Sequence, residues 1–522
     1  METEKSKSIP EDFTGKSRIL WNTLISWSSH LVLVVSGFIM PRLVDQFIGS
    51  VQLGIWDFCW TFVNYLVLVG LGVGSDSNRF ISKARAENNQ HKLNNIFNTV
   101  ICIQFFVCIL IVLGTLAVIT SFSTLFAERL GEHVELTQYV MLFLGLSLAF
   151  NNLFSASRGI LTGFHRWDLH NGITAAESFV TLSLMLTMLL SGYGLVGMAF
   201  AYFVSNALSD VIRAVVTYKL CQPLKLNLKS ASFSTAKELL GYGVKCKFAT
   251  LPPIFLLQSI NLMIVGAMGP AALAIFARPL ALTRHIRVFI SKFTMILTPS
   301  VGAMLDPSQR GELKQFYLIT TKLSFAFTLP LVITLLISGD LILLLWMGPD
   351  YVNQMLVSIL ALGVLLPVSQ DCSLRILMGM NKHGKISIYL FLVIVMAFSC
   401  FYIYSLSNEL TLISAAIGLT VPMNLSYGVM MPIYTCKKLE LPLFQYVAFA
   451  ILKPIIAVTP FTGLILLARH SYDQYNFGFS LFFLLLAVLS LIVSYSLVIL
   501  TRSQRNKILG KIFKKRINNG IF

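Results

Sequence analysis

Apolar runs of about 20 residues, the length a helix needs to cross a bilayer, recur along almost the whole chain with short polar breaks between them. They fall near residues 21–44, 53–74, 99–119, 136–156, 171–190, 195–216, 248–268, 271–297, 316–337, 354–375, 386–404, 410–434, 446–467 and 479–500. The pattern predicts an all-α, polytopic membrane protein with about 14 transmembrane helices. The run at 271–297 stands apart, because Arg278, Arg284, Arg287 and Lys292 interrupt it.

Composition agrees with the pattern. Of 522 residues, 56% are hydrophobic and 12% charged, with a mean hydropathy of +0.76, against roughly 25% charged residues in soluble domains. The spans leave no room for a large soluble catalytic domain. The formal charge of +17 alone would fit nucleic acid, an anionic surface or the loops of a membrane protein, so the positions of the cations decide. With an even number of spans both termini share a side. That side holds most of the Lys and Arg, from Lys5, Lys16, Arg79 and Arg85 through Lys225, Lys237 and Lys385 to the terminal run RSQRNKILGKIFKKR. Opposite lie only Arg42, Arg129 and Arg469, with acids such as Glu128, Asp340 and Asp473. Both termini are therefore expected in the cytoplasm. The start METEKSKSIPEDF lacks the apolar core and small-residue cleavage site of a signal peptide, so the first span is expected to stay as an anchor. No CxxC or His/Cys cluster suggests a metal, and no cofactor is implied. The basic tail reads as a topology signal or a contact with anionic lipid rather than a nucleic-acid site.

Two short segments repeat. Leu161-Thr-Gly163-Phe-His-Arg166, after the fourth span, resembles Leu377-Met-Gly379-Met-Asn-Lys382, after the tenth, at an offset of 216. Gly49-Ser-Val-Gln-Leu53-Gly54 resembles Gly269-Pro-Ala-Ala-Leu273-Ala274 at an offset of 220. Nearly equal offsets at equivalent places in the span order predict two parallel six-span lobes, residues 1–225 and 235–436, with two further helices and the basic tail in 437–522.

Polar residues within spans mark the candidate site. Asn22, Ser26, Ser29 and Ser36 share one face of the first span, and Asp57, Thr61 and Asn64 share a face of the second; Gln258 and Asn261 lie on the seventh. Such stripes should face other helices or water, as interhelical hydrogen bonds or as the lining of a polar cavity. Asp57, an acid inside a span, is either a functional group or the partner of a nearby cation. Arg278, Arg284 and Arg287 lie about 10, 20 and 24 Å along the eighth span at 1.5 Å per residue. Each central Arg costs roughly 2.5–3.5 kcal/mol on insertion scales, so these cations with His285 need a hydrated, protein-lined surrounding. They fit an anion site, whereas Lys292 fits snorkelling to the surface. Arg278, His285 and Lys292 share one face; Arg284 and Arg287 point elsewhere. Glu177 on the fifth span is placed to pair with Arg213 on the sixth or to bind a coupling proton, and Asp57 and His285 are further coupling candidates. Asp371 and Arg375 form an i, i+4 pair.

MPRLVDQFIGSVQLGIWDFCWTFVNYLVLVGLGVGSDSNRFISK resembles the N-terminal signature of Wzx-type polysaccharide (O-antigen) flippases, and SRGILTGFHRWDLHNG, residues 157–172, resembles their loop between spans four and five. The resemblance covers nearly the whole chain. It places the protein in the multidrug/oligosaccharidyl-lipid/polysaccharide exporter superfamily and implies two six-helix lobes around a central cavity. It further implies movement of a polyprenyl-diphosphate-linked oligosaccharide across a bacterial inner membrane for polysaccharide or lipopolysaccharide synthesis. Cavity cations would hold the diphosphate or acidic sugar, a role that Arg278, Arg284 and Arg287 fit. Expected partners are the lipid-linked substrate, membrane lipids, and glycosyltransferases or a polymerase of the same pathway, with no nucleic acid. Two other transporters remain open at this point, a peptidoglycan-precursor flippase and a multidrug antiporter. Organic cations would call for acidic cavity residues, against the basic balance here. A polymerase or ligase would need a sizeable external loop, and the longest, residues 121–135, is short.

Overall fold

The computed structural model describes residues 16–70, 73, 77–164, 166–221, 224–294, 297, 301, 304, 310–474, 476–500 and 505, with the side chains of 16–30, 33, 79, 242, 245–250 and 292–293 also outside the description. Among these residues the chain is helical throughout, without a strand. Its longer helices are α1 (Lys16–Val69), α2 (Asn78–Ala86), α3 (Gln90–Leu125), α4 (Val134–Leu153), α5 (Ser155–Gly163), α6 (Trp167–Leu190), α7 (Gly194–Leu220), α8 (Phe233–Met268) and α9 (Pro270–Thr294). They continue with α10 (Arg310–Trp346), α11 (Gln354–Ser369), α12 (Asp371–Gly379), α13 (His383–Ser407), α14 (Leu412–Met423), α15 (Met431–Leu439), α16 (Lys453–Asp473) and α17 (Phe477–Val498).

Twelve helices among the described residues are long and apolar enough to span a bilayer. The difference from the sequence count has two causes. α1 carries the first two apolar runs as two helical arms that meet at a kink at Gly49 (φ 87°, ψ 166°), and only its 34–69 stretch enters the count. α9, 25 residues long, has the length of a span, but its cations remove it from the apolar set.

The chain forms two compact units, residues 1–275 and 276–522. In the first, α1 packs on α6 and α8, α3 on α4 and α8, and α7 on α4 and α6. In the second, α10 packs on α11 and α16, α11 on α14, and α16 on α17. At one end of the first unit Ile81, Ile96, Phe97, Ile160 and Leu161 form an apolar cluster that seats α2, α3 and α5 together.

Both repeated segments have matching backbones. Gly269 (φ 85°, ψ 174°) adopts the conformation of Gly49, in a region closed to residues with a side chain. α4 breaks at Phe154 (φ −91°, ψ 3°) and α11 at Gln370 (φ −87°, ψ 1°). The short helices that follow end alike: Phe164 N–H donates to Ile160 at 2.8 Å and Arg166 to Leu161 at 2.8 Å, while Met380 donates to Ile376 at 2.9 Å and Lys382 to Leu377 at 2.8 Å. The two helix ends after Phe154 and Gln370 keep one geometry because equivalent carbonyls are satisfied by equivalent donors.

The glycine turn also sets a close approach. A Cβ on Gly54 would stand 1.8 Å from the Pro270 carbonyl oxygen, whereas one on Gly266 would meet nothing within 4 Å. Gly54→Ala should therefore force α1 away from the start of α9 and destabilise the protein by about 1–3 kcal/mol or more. Thermal unfolding in detergent checks this: the Gly54→Ala midpoint should fall clearly below wild type, and the Gly266→Ala midpoint should not.

Candidate functional site

The polar stripes on α1 and α8 meet. Asn261 Nδ2 donates to Thr61 Oγ1 at 3.2 Å and to Gln258 Oε1 at 3.3 Å, and Thr61 Oγ1 donates to the Asp57 carbonyl at 3.1 Å. One turn along, the Tyr65 hydroxyl donates to the Phe255 carbonyl at 3.2 Å and shares a hydrogen bond with Ser259 Oγ at 2.7 Å. Thr61, Gln258 and Asn261 are thus brought together, and Tyr65 and Ser259 join them without having been singled out in the sequence. Tyr65 lies four residues after Thr61 and Ser259 directly after Gln258, so helical spacing carried the signal. Asp57 and Asn64 are half-buried on α1. The side chains of Asn22, Ser26 and Ser29 lie outside the described residues.

A second cluster joins α4 through α7. Arg213, buried, places Nη2 2.8 Å from Glu177 Oε2 and Nη1 2.6 Å from Asp210 Oδ1. Asp210, equally buried, also receives Arg158 Nη2 at 3.3 Å and Asn151 Nδ2 at 3.3 Å. Two guanidinium groups and two carboxylates balance within the cluster, which is the condition for burying charge at acceptable cost. Asp210 is the member that sequence reading missed; its i, i+3 spacing to Arg213 was the available signal.

α9 differs because its cations outnumber its acids. Arg278 is buried and Arg284 exposed, with His285 and Arg287 half-buried, so the two angular sectors of the helix fall in different surroundings. Lys292 has its side chain outside the described residues. Among the described residues, Asp371 and Tyr427 lie near enough for their charges to act on Arg287. Asp371 is already engaged: Thr294 donates to it, and Arg375 Nε lies at 3.4 Å.

Tyr427 belongs to a π-helical turn, Asn424–Met430, inserted between α14 and α15. Three buried polar atoms there, Asn424 Oδ1, Ser426 Oγ and the Tyr427 hydroxyl, make no hydrogen bond among the described residues. A second π-helical turn spans Val447–Leu452. Each ends two residues before a proline, Pro432 or Pro454. A proline ring clashes with the carbonyl four residues back, here that of Gly428 or Ala450; widening the turn moves that carbonyl aside while the helix continues.

The fold is shared with transporters of the MOP superfamily. The chain aligns with an outward-facing multidrug resistance MATE family transporter of that superfamily at 18% identity and a TM-score of 0.59, covering 81% of this chain and 95% of the other. An inward-facing MATE transporter gives 17% identity, a TM-score of 0.61 and coverage of 79% and 98%. A MOP superfamily transporter from Pyrococcus furiosus, described as having a binding pocket of reverse polarity that suggests a different function, gives 18%, 0.61, 81% and 95%. A search of curated proteins found no match. The polysaccharide biosynthesis protein family matches residues 32–356, and the chain belongs to that family.

Removing Asp210 would leave buried Arg213 and half-buried Arg158 near one another with Glu177 alone to balance them. Asp210→Ala should cost about 3–5 kcal/mol, the range for breaking a buried pair, and lower both the folded yield and the thermal midpoint. Glu177→Gln keeps an acceptor for Arg213 and should cost less. An unchanged midpoint for Asp210→Ala would show that the cluster does not hold α5, α6 and α7 together.

Proposed function

We propose that the protein is a transporter, not an enzyme: a flippase that moves a polyprenyl-diphosphate-linked oligosaccharide from the cytoplasmic to the outer leaflet of a bacterial inner membrane by exposing one site to each side in turn. The carrying observation is the excess of cations on α9, in a chain of the polysaccharide biosynthesis family with a MOP-type fold. A diphosphate brings negative charge that Arg278, Arg284 and Arg287 would receive, with guanidinium forks suited to phosphate oxygens. An oligosaccharide brings hydroxyls whose burial without partners costs several kcal/mol each. In the first unit the stripe of Asp57, Thr61, Asn64, Gln258 and Asn261 carries such groups, and in the second the π-helical turn Asn424–Met430 does.

The energetics favour outward movement. An inside-negative potential moves an anion outward with about 2.3 kcal/mol per charge per 100 mV, so a coupling ion at Asp57, Glu177 or His285 would add to a drive already present. The positive-inside distribution of Lys and Arg supports a reading with both termini in the cytoplasm. Solved MATE transporters of this fold include multidrug exporters, yet an organic cation would meet repulsion from α9. A peptidoglycan precursor shares the diphosphate chemistry and is separated from other lipid-linked sugars by complementation.

Depletion of the protein should trap lipid-linked oligosaccharide on the cytoplasmic leaflet, read by leaflet-selective enzymatic labelling. Arg278→Ala and Arg284→Ala variants, inserted at normal levels, should reproduce that accumulation by at least ten-fold over wild type, about 1.4 kcal/mol of lost binding. Full export by both variants would remove the cation site from the mechanism.

A further inference from the structure

A separate group of cations lies in the second unit, where α10, α16 and α17 converge, and the transport reading does not use it. Lys322 on α10 is buried, and its Nζ donates to the Ile499 carbonyl at 2.7 Å, just past the end of α17. The same ammonium lies 4.4 Å from the centroid of the Phe449 ring. Lys453, the first residue of α16 and exposed, places its own Nζ 4.4 Å from that ring. Two ammonium groups thus share one aromatic ring, and only Lys322 has a carbonyl as well. Among the described residues no carboxylate forms an ion pair with either.

The interactions already present account for Lys322 but not for Lys453. A lysine near a helix C-terminus satisfies an orphan carbonyl and meets the negative end of the helix dipole, and burial over an aromatic ring strengthens its hold. The second ammonium adds repulsion to the first and has only the ring to offset it. Its three donors point toward the surface, where an anion would bring two like charges into balance. The surroundings specify the kind of anion. Leu452, Ile455 and Ile456 beside Lys453, and Leu497 and Val498 beside Ile499, are all exposed. Those apolar side chains form a surface that acyl chains can cover, and a soluble phosphate would leave them bare.

We propose that this junction binds the phosphodiester headgroup of an anionic phospholipid, with Lys453 in direct contact, Lys322 behind the Phe449 ring reinforcing the field, and the acyl chains lying along the exposed residues of α16 and α17. The bound lipid secures the α16–α17 hairpin to α10, to which Tyr495 is already tied by a 2.6 Å hydrogen bond from its hydroxyl to the Ala326 carbonyl.

The test uses the full-length protein in a neutral detergent, with thermal unfolding followed as phosphatidylglycerol, phosphatidylcholine or inorganic phosphate is titrated in. Phosphatidylglycerol should raise the wild-type midpoint in a saturable way, and the other two additions should not. Lys453→Gln should weaken the apparent affinity about five-fold, the equivalent of roughly 1 kcal/mol for one cation near an anionic surface, while Lys453→Arg retains it. Lys437→Gln, which removes an exposed cation elsewhere on the chain, should leave the response intact. Lys322→Met is left aside because it also uncaps α17. An undiminished response in Lys453→Gln, an equal loss in Lys437→Gln, or the same stabilisation by phosphatidylcholine or inorganic phosphate would overturn the proposal.

Discussion

A guanidinium in hydrocarbon costs roughly 2.5–3.5 kcal/mol by insertion scales and more by other measures, and α9 carries three of them with a lysine and a histidine. That helix can be held at membrane depth only if other helices and water surround it. Every other long element supplies the opposite character: twelve helices are apolar enough to meet lipid on their own. The start of α9 is fixed by Gly269 and by the approach of Pro270 to Gly54, and its far end by the donation of Thr294 to Asp371.

Charges in the two units are handled differently. In the first, Arg158, Glu177, Asp210 and Arg213 neutralise one another over distances of 2.6 to 3.3 Å. In the second, Asp371 is divided among Thr294, Arg375 and the field of Arg287. A balanced cluster is suited to holding helices together, and a cationic excess is suited to holding an anion. Both consist of arginine and carboxylate, so the ratio of charges rather than their type distinguishes them.

Much of the fold was legible because lipid imposes a simple code. Apolar run length gave the helices, and the repeated motifs at 161–166 and 377–382 announced backbone geometry that agrees hydrogen bond for hydrogen bond. The turn between the first two apolar runs falls at Gly49, where the repeat placed it, and the same backbone conformation at Gly269 separates α8 from α9. Pro432 and Pro454 were readable as interruptions, but whether a helix breaks or widens there depends on the packing of its neighbours. Of the candidate site, the stripes of Thr61 and of Gln258 and Asn261 were legible from helical spacing, whereas their meeting across α1 and α8 was not. Asp210 did not, because it gains meaning only when Arg158 and Arg213 converge on it from separate helices.

The central claim is that α9 borders a hydrated path that binds an anion. Thiol accessibility at Arg284→Cys measures this directly, using right-side-out and inverted vesicles and a membrane-impermeant thiol reagent, in a background whose native cysteines have been replaced. The account predicts reaction from the aqueous phase and protection by a polyprenyl-diphosphate-linked sugar. Reaction only with a lipid-soluble reagent, or aqueous reaction that no diphosphate lipid slows, would contradict it.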